Sequence, residues 1–161
     1  MKARIALSIA ALTLSLPLAA QQPAPVPQYG PNITLEQARR VAAAAEAESR
    51  KNGWPMAIAV VDTAGMLVHF TKMDNTQTAS VQVAQDKATS SAIYRRPSKA
   101  FQDGLAGGGA GLRILNLRAA SAVEGGLPLY VDGKIVGAIG VSGMAADQDG
   151  VAAKAGQDAL K

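Results

Sequence analysis

A chain of 161 residues has room for one domain with a sizeable buried core. Having no cysteine, it forms no disulfide, offers no thiolate nucleophile and holds no Cys-ligated zinc or iron–sulfur cluster. The formal charge of +4 argues for no nucleic-acid partner, because Lys2 and Arg4 contribute half of it and lie in a leader.

That leader comes first in the chain. Lys2 and Arg4 precede an apolar run, Ile5 to Leu18, and small residues at Leu18-Ala19-Ala20. The pattern predicts a secretory signal peptide over residues 1–20, too short and wrongly flanked for a membrane span. Export without disulfides points to a periplasmic or secreted protein. Residues 21–32 carry Pro23, Pro25, Pro27 and Pro31 and read as a semi-rigid tether outside the fold. The folded domain then covers residues 33–161.

Thr34 and Gln37 form a capping box at the start of a helix. Leu35, Ala38, Val41, Ala42 and Ala45 supply its apolar face, and Asn52-Gly53 ends it. Met56–Asp62 is a nearly continuous apolar run, expected as a central strand. Thr63-Ala64-Gly65 turns the chain back into a partner strand over Met66–Met73. A second helix is predicted from Ala79 to Tyr94. Its Ala84, Ala88 and Ala92 share one line, and Lys87, Ser91 and Arg95 share the next. Pro97 stops that helix and Ser98 caps a short turn through Phe101. Gly104–Gly111 reads as a flexible loop without the Gly-Lys-Ser/Thr ending of a phosphate cradle. Residues 113–123 are ambiguous, with a strand expected at their end.

The strongest local signal is Glu124–Gly143. Two apolar segments flank Asp132-Gly133, a hairpin turn, and the second segment has glycines at 137, 140 and 143. Glycine in a strand means that a helix, another subunit or a ligand comes close to the backbone. Asp147 then caps a last helix through Leu160. Hairpins joined to helices in this order predict an α+β domain with a mainly antiparallel sheet.

Several residues are candidates for chemistry. His69, the sole histidine, excludes His-pair metal sites; it reads either as a structural strand residue or as a general base or axial haem ligand. Lys87, Arg95 and Arg96 form a cationic group at a helix end, suited to the carboxylates of a small acid or haem propionates, or to complementing the helix dipole. Tyr94 could ligate iron or belong to the core. Glu124, beside Gly125-Gly126, is either a turn residue or, if buried, a carboxyl that exchanges protons. Ser142-Gly143 marks the far end of the same hairpin, without the Gly-x-Ser-x-Gly elbow of a hydrolase.

Taken together, Ile33-Thr-Leu-Glu-Gln-Ala38, Ile58-Ala-Val-Val-Asp62, Lys72-Met-Asp74, Lys87-Ala88, Arg96-Pro-Ser98 with Phe101, Glu124-Gly-Gly-Leu-Pro128 and Val136-Gly-Ala-Ile-Gly-Val-Ser-Gly143 resemble the GlcG/HbpS family. This haem-binding or haem-degrading family includes the C-terminal domain of PduO-type proteins. The resemblance implies a profilin-like fold with a five-stranded antiparallel sheet and assembly into homo-oligomers. It also implies haem or a related tetrapyrrole as ligand, with possible haem degradation or redox sensing. The resemblance assigns His69 no role. Joined to the residues above, the haem reading has Lys87, Arg95 and Arg96 hold propionates, Tyr94 bind the ligand, Glu124, Gly125, Gly126, Ser142 and Gly143 line the pocket, and His69 or a tyrosine contact iron. Some members use a histidine near their N-terminal end as haem ligand; the helix from Thr34 to Asn52 contains none. Two other functions remain open. One is a cofactor-independent enzyme acting on a small carbonyl or hydroxy acid, with Glu124 as general base and Lys87 or Arg96 as carboxylate anchor. The other is a structural or sensor-partner module.

Overall fold

A computed structural model describes residues 26–160; the signal peptide expected over 1–20 and the first part of the tether lie outside the described residues. Thr34 begins helix α1 (Leu35–Lys51) as expected. Its hydroxyl accepts from the Gln37 N–H at 3.2 Å, and Gln37 Oε1 accepts from the Thr34 N–H at 3.0 Å. Strands β1 (Ala57–Asp62) and β2 (Leu67–Lys72) follow, then α2 (Ser80–Tyr94), α3 (Lys99–Ala106), a 3₁₀ segment (Gly109–Asn116), β3 (Gly126–Val131), β4 (Lys134–Ser142) and α4 (Ala146–Asp158). Among the described residues no helix is long and apolar enough to cross a membrane.

The strands form one antiparallel sheet in the order β2-β1-β4-β3. Among the described residues it has four strands, not five. The strand expected near residue 123 is absent because that stretch takes its hydrogen bonds from side chains instead. Ser90 Oγ accepts from the Ser121 N–H at 3.0 Å, Tyr94 donates its hydroxyl to Arg118 O at 2.7 Å, and Ser98 donates to Val123 O at 2.7 Å. A backbone satisfied this way has no need of a strand partner. The glycine-rich region is likewise more ordered than a loop: α3 runs to Ala106, and Gly111 lies where a Cβ would meet Gly104 O at 1.9 Å. The β3–β4 turn is as expected, with positive φ at both Asp132 (49°) and Gly133 (72°).

Helices cover both faces. On one, α1 and α4 bury Val41, Ala45, Ala152 and Ala153 against Ile58, Val60, Leu129, Ile139 and Val141. Each large aliphatic fully buried there contributes about 1.5–3 kcal/mol. On the other, α2 lays Ala84, Ala88 and Ala92 on Ala57, Ala59, Val61 and Ala138. A Cβ on Gly140 would lie 2.0 Å from Ala84 O and 2.5 Å from Ala88 N, so the element that approaches the hairpin this closely is α2 of the same chain. The described end of the Pro-rich tether is not free of the domain. Ile135 N–H donates to Gln28 O at 2.8 Å, and Gly30 and Ile33 N–H donate to Ile135 O and Val136 O, both at 2.7 Å. Residues 28–33 thus run beside the start of β4, beyond the end of β1.

Candidate functional site

Where β3 begins, at an edge of the sheet, the chain is held by Ser98. Its hydroxyl accepts from the Gly126 N–H at 2.9 Å while donating to Val123 O, and its own N–H donates to Gly126 O at 3.0 Å. Ser98 makes no side-chain cap on α3; it fixes the Glu124-Gly125-Gly126 turn. Gln102 Oε1 accepts from the Glu124 N–H at 2.8 Å, and the Glu124 carboxylate lies over α4, where a Cβ on Gly150 would meet its Oε1 at 2.7 Å. Around this turn opens a cavity of about 450 Å³. Gly125, Gly126 and Gly150 lie along it, Pro97, Leu127 and Val151 give it apolar surface, and Glu124, Asp147, Lys99 and Lys154 supply charge.

Behind Gly125 lies the most unusual group in the protein. Lys87 is fully buried, and its ammonium donates to Asp149 Oδ2 at 2.6 Å and to Val141 O at 3.0 Å. Asp149, only 2% exposed, also accepts from the Met144 N–H at 3.1 Å and from the Gly143 backbone. Burial pushes Lys87 below its usual value; the hydrogen bond and charge of Asp149, and the charge of Glu124, oppose that. Burial likewise pushes Asp149 up, against the pull of Lys87 and two backbone N–H groups. Gly125, at φ 121°, takes a conformation few other residues adopt, and a Cβ there would lie 2.8 Å from Lys87 Nζ. One bare glycine therefore separates the buried ion pair from the cavity.

The two rim lysines are differently placed. Lys99 pairs with Asp103 at 2.6 Å and Lys154 with Asp158, each one helical turn along an exposed surface. The hydrogen bond that Lys99 donates to Asp103 raises its pKa above the ordinary value. Exposed pairs of this kind are weak, so either ammonium can exchange its partner for a ligand carboxylate.

Of the residues singled out from the sequence, Glu124, Gly125 and Gly126 line this cavity, and Lys87 lies directly behind it. The others are elsewhere. Arg95 ends α2 at φ 54° and lies over the Tyr29 ring at 5.4 Å, with Nη1 3.4 Å from Pro27 O; Arg96 lies over Phe101 at 5.5 Å. The expected cluster of Lys87, Arg95 and Arg96 therefore does not form, because Lys87 points into the protein while the two arginines serve its surface. Tyr94 is committed to Arg118 O and packs edge-on to Phe101 at 5.1 Å. Ser142 is buried with its hydroxyl 3.2 Å from Ser80 Oγ, and neither it nor Gly143 lines the cavity. His69 is on β2, at the opposite edge of the sheet, with its Nε2 3.2 Å from Thr71 Oγ1.

The sequence reading missed Lys99, Lys154, Asp147 and Asp149. One signal for Asp149 was present: it shares a helical stripe with Ala152, Ala153 and Gly156, and an acid on an apolar stripe asks for a buried partner.

The profile of the HbpS-like family, described as "Haem degrading protein HbpS-like", matches residues 33–158. The chain belongs to that family. It is 34% identical over 110 residues to Protein GlcG of Escherichia coli K12, covering 68% of this chain and 81% of GlcG. It is 31% identical over 128 residues to an uncharacterised 15.0 kDa protein of Citrobacter freundii from a dhaT-dhaS intergenic region, covering 78% and 90% of the two chains. Among solved structures, a double mutant of HbpS from Streptomyces reticuli superposes with a TM-score of 0.75 at 27% identity, covering 92% of this chain and 99% of HbpS. PduOC, solved as a haem complex, superposes with a TM-score of 0.73 at 21% identity, covering 81% and 96%; that likeness concerns the fold.

Proposed function

We propose that this protein is an exported, homo-oligomeric binder of a small carboxylated ligand of the haem or tetrapyrrole class, held in the cavity between β3 and α4. The observation that carries the reading is the cavity itself, with a glycine floor, apolar walls and two exchangeable lysines at its rim. Its volume falls in the range of ordinary small-molecule sites. The family's haem description supports the choice of ligand. Lys99 and Lys154 are the groups for two propionates.

The fit is one-sided. The propionates find cations, but no histidine, methionine or tyrosine lines the cavity, and the chain has no cysteine; those are the side chains that take haem iron. The lining side chains therefore offer haem its propionate contacts and no such ligand for iron. Titration of the purified protein with hemin, followed at the Soret band, tests the reading. Saturable binding that a Lys99→Ala/Lys154→Ala variant weakens and an Arg95→Ala/Arg96→Ala variant leaves alone is the expected result. No spectral change on titration defeats it.

A cofactor-independent enzyme using Glu124 as general base is the second reading, favoured by one observation: Glu124 lines the cavity, anchored by Gln102. Glu124→Gln would then abolish turnover of a small carbonyl or hydroxy acid without loss of fold. Normal turnover in that variant removes Glu124 from the role. Export through a leader at 1–20 is checked by cell fractionation, and self-association by sedimentation.

A further inference from the structure

We propose, resting on the tetrapyrrole reading, that the cavity recognises its ligand by carboxylates and ring face alone, so that a metal-free porphyrin binds as tightly as haem. The side chains that bring nitrogen or oxygen to the cavity are Lys99, Lys154, Glu124 and Asp147. Two are ammonium groups held by exposed acids, and two are carboxylates. None is an imidazole, thioether or phenol.

None of the other potential iron ligands among the described residues lines the cavity, Tyr130, Met66, Met73 and Met144 included, and three are spoken for or distant. His69 is three strand spacings away across the sheet, about 14 Å at the usual interstrand distance, and within hydrogen-bonding distance of Thr71. Tyr29 donates its hydroxyl to Ala92 O at 2.8 Å, and Tyr94 donates to Arg118 O.

What the cavity does offer suits a flat, apolar, dianionic molecule. Gly125 and Gly126 present backbone without a side chain, and inward packing keeps them so, while Gly150 lies under the Glu124 carboxylate. A Cβ would meet Lys87 O at 2.4 Å from Gly126 and Val141 O at 2.6 Å from Gly125. A planar ring can therefore approach this floor at van der Waals distance, between Pro97, Leu127 and Val151. Lys99 and Lys154 are the cations that line the cavity, and the acids Glu124 and Asp147 that share it repel propionates from their own positions.

The test is a parallel titration of the purified protein with hemin, protoporphyrin IX and protoporphyrin IX dimethyl ester, read by absorbance and by quenching of porphyrin fluorescence. Hemin and protoporphyrin IX should have dissociation constants within about threefold of each other, and the ester should bind at least about tenfold more weakly. Lys99→Ala/Lys154→Ala should weaken both acids by the same factor, about tenfold, and His69→Ala should change neither. Hemin binding more than about tenfold tighter than protoporphyrin IX overturns the proposal. So does a hemin Soret band that moves on His69→Ala, or an ester that binds as well as the acid. Binding of hemin alone defeats only the metal-independence, whereas binding of neither porphyrin defeats the tetrapyrrole reading beneath it as well.

Discussion

On its α1/α4 side the sheet is packed with Val, Ile, Leu and Met, whereas on its α2 side it meets little but Ala, with glycine in β3 and β4 beneath the helix. The first face is a thick aliphatic layer that draws its stability from buried area. The second is thin, and the helix backbone all but rests on the strands. Thinness has a consequence at the site. From α2, the Lys87 side chain reaches past the bare Gly125 to Asp149 on α4, on the other side of the sheet. One ion pair thus ties the two layers together beneath the cavity. A thicker α2 face would leave that ammonium short of its partner.

The largest expected effect comes from cutting this tie. Lys87→Met leaves Asp149 buried without its cation and should cost about 3–5 kcal/mol in denaturant unfolding, whereas Lys87→Met/Asp149→Leu should recover most of the loss. Recovery would mean that the pair specifies the join between the layers more than it stabilises it; no recovery would make the pair itself stabilising.

The same variant carries a pH signature. Without Lys87, the first cause still acting on Asp149 is burial, which raises its pKa above the ordinary 3.8. A folded pKa above the unfolded one gives stability that is complete below the unfolded value and lost as pH rises through the folded value. Lys87→Met should therefore lose stability as pH climbs from the acid carboxylate range towards neutrality, and Lys87→Met/Asp149→Leu should not. Unfolding midpoints measured across that window decide it; parallel curves would show that Asp149 escapes to solvent in the single variant.

Next in size is Gly140→Ala. One methyl group on the thin face meets the Ala84 carbonyl, and the overpacking should cost about 3 kcal/mol. On the thick face, removing one methyl by Ile139→Val should cost only about 1 kcal/mol. Equal losses in thermal unfolding would erase the distinction between the faces. Smallest is Glu46→Gln, which removes the exposed α1 pair with Arg50 and should change stability by no more than about 0.5 kcal/mol.

Much of the fold was legible because its signals are local. Thr34 with Gln37, and Asp132 with Gly133, act within a few residues, so their chemistry can be read without knowing what surrounds them. The line Ala84-Ala88-Ala92 declared a close approach, and Gly140 is where it happens. The site was legible only in part. Glu124-Gly125-Gly126 lines the cavity, but the cations expected there are not the ones present, because Lys87 shares a helical line with Arg95 and yet only Lys87 has an acid to bury against.

By itself, then, the sequence determined helices α1, α2 and α4, the hairpins, the family and the turn around which a site could form. Each rests on residues close in the chain or on blocks in a fixed order. Only the tertiary structure decided that Lys87 is a buried strut and not a ligand-facing cation. It likewise decided that Lys99 and Lys154 form the rim, and that the stretch before Glu124 is held by Ser90, Tyr94 and Ser98 in place of a fifth strand. The strut and the missing strand depend on which side chain finds a partner across 24 to 62 residues of chain, and spacing along a single helix carries no record of that.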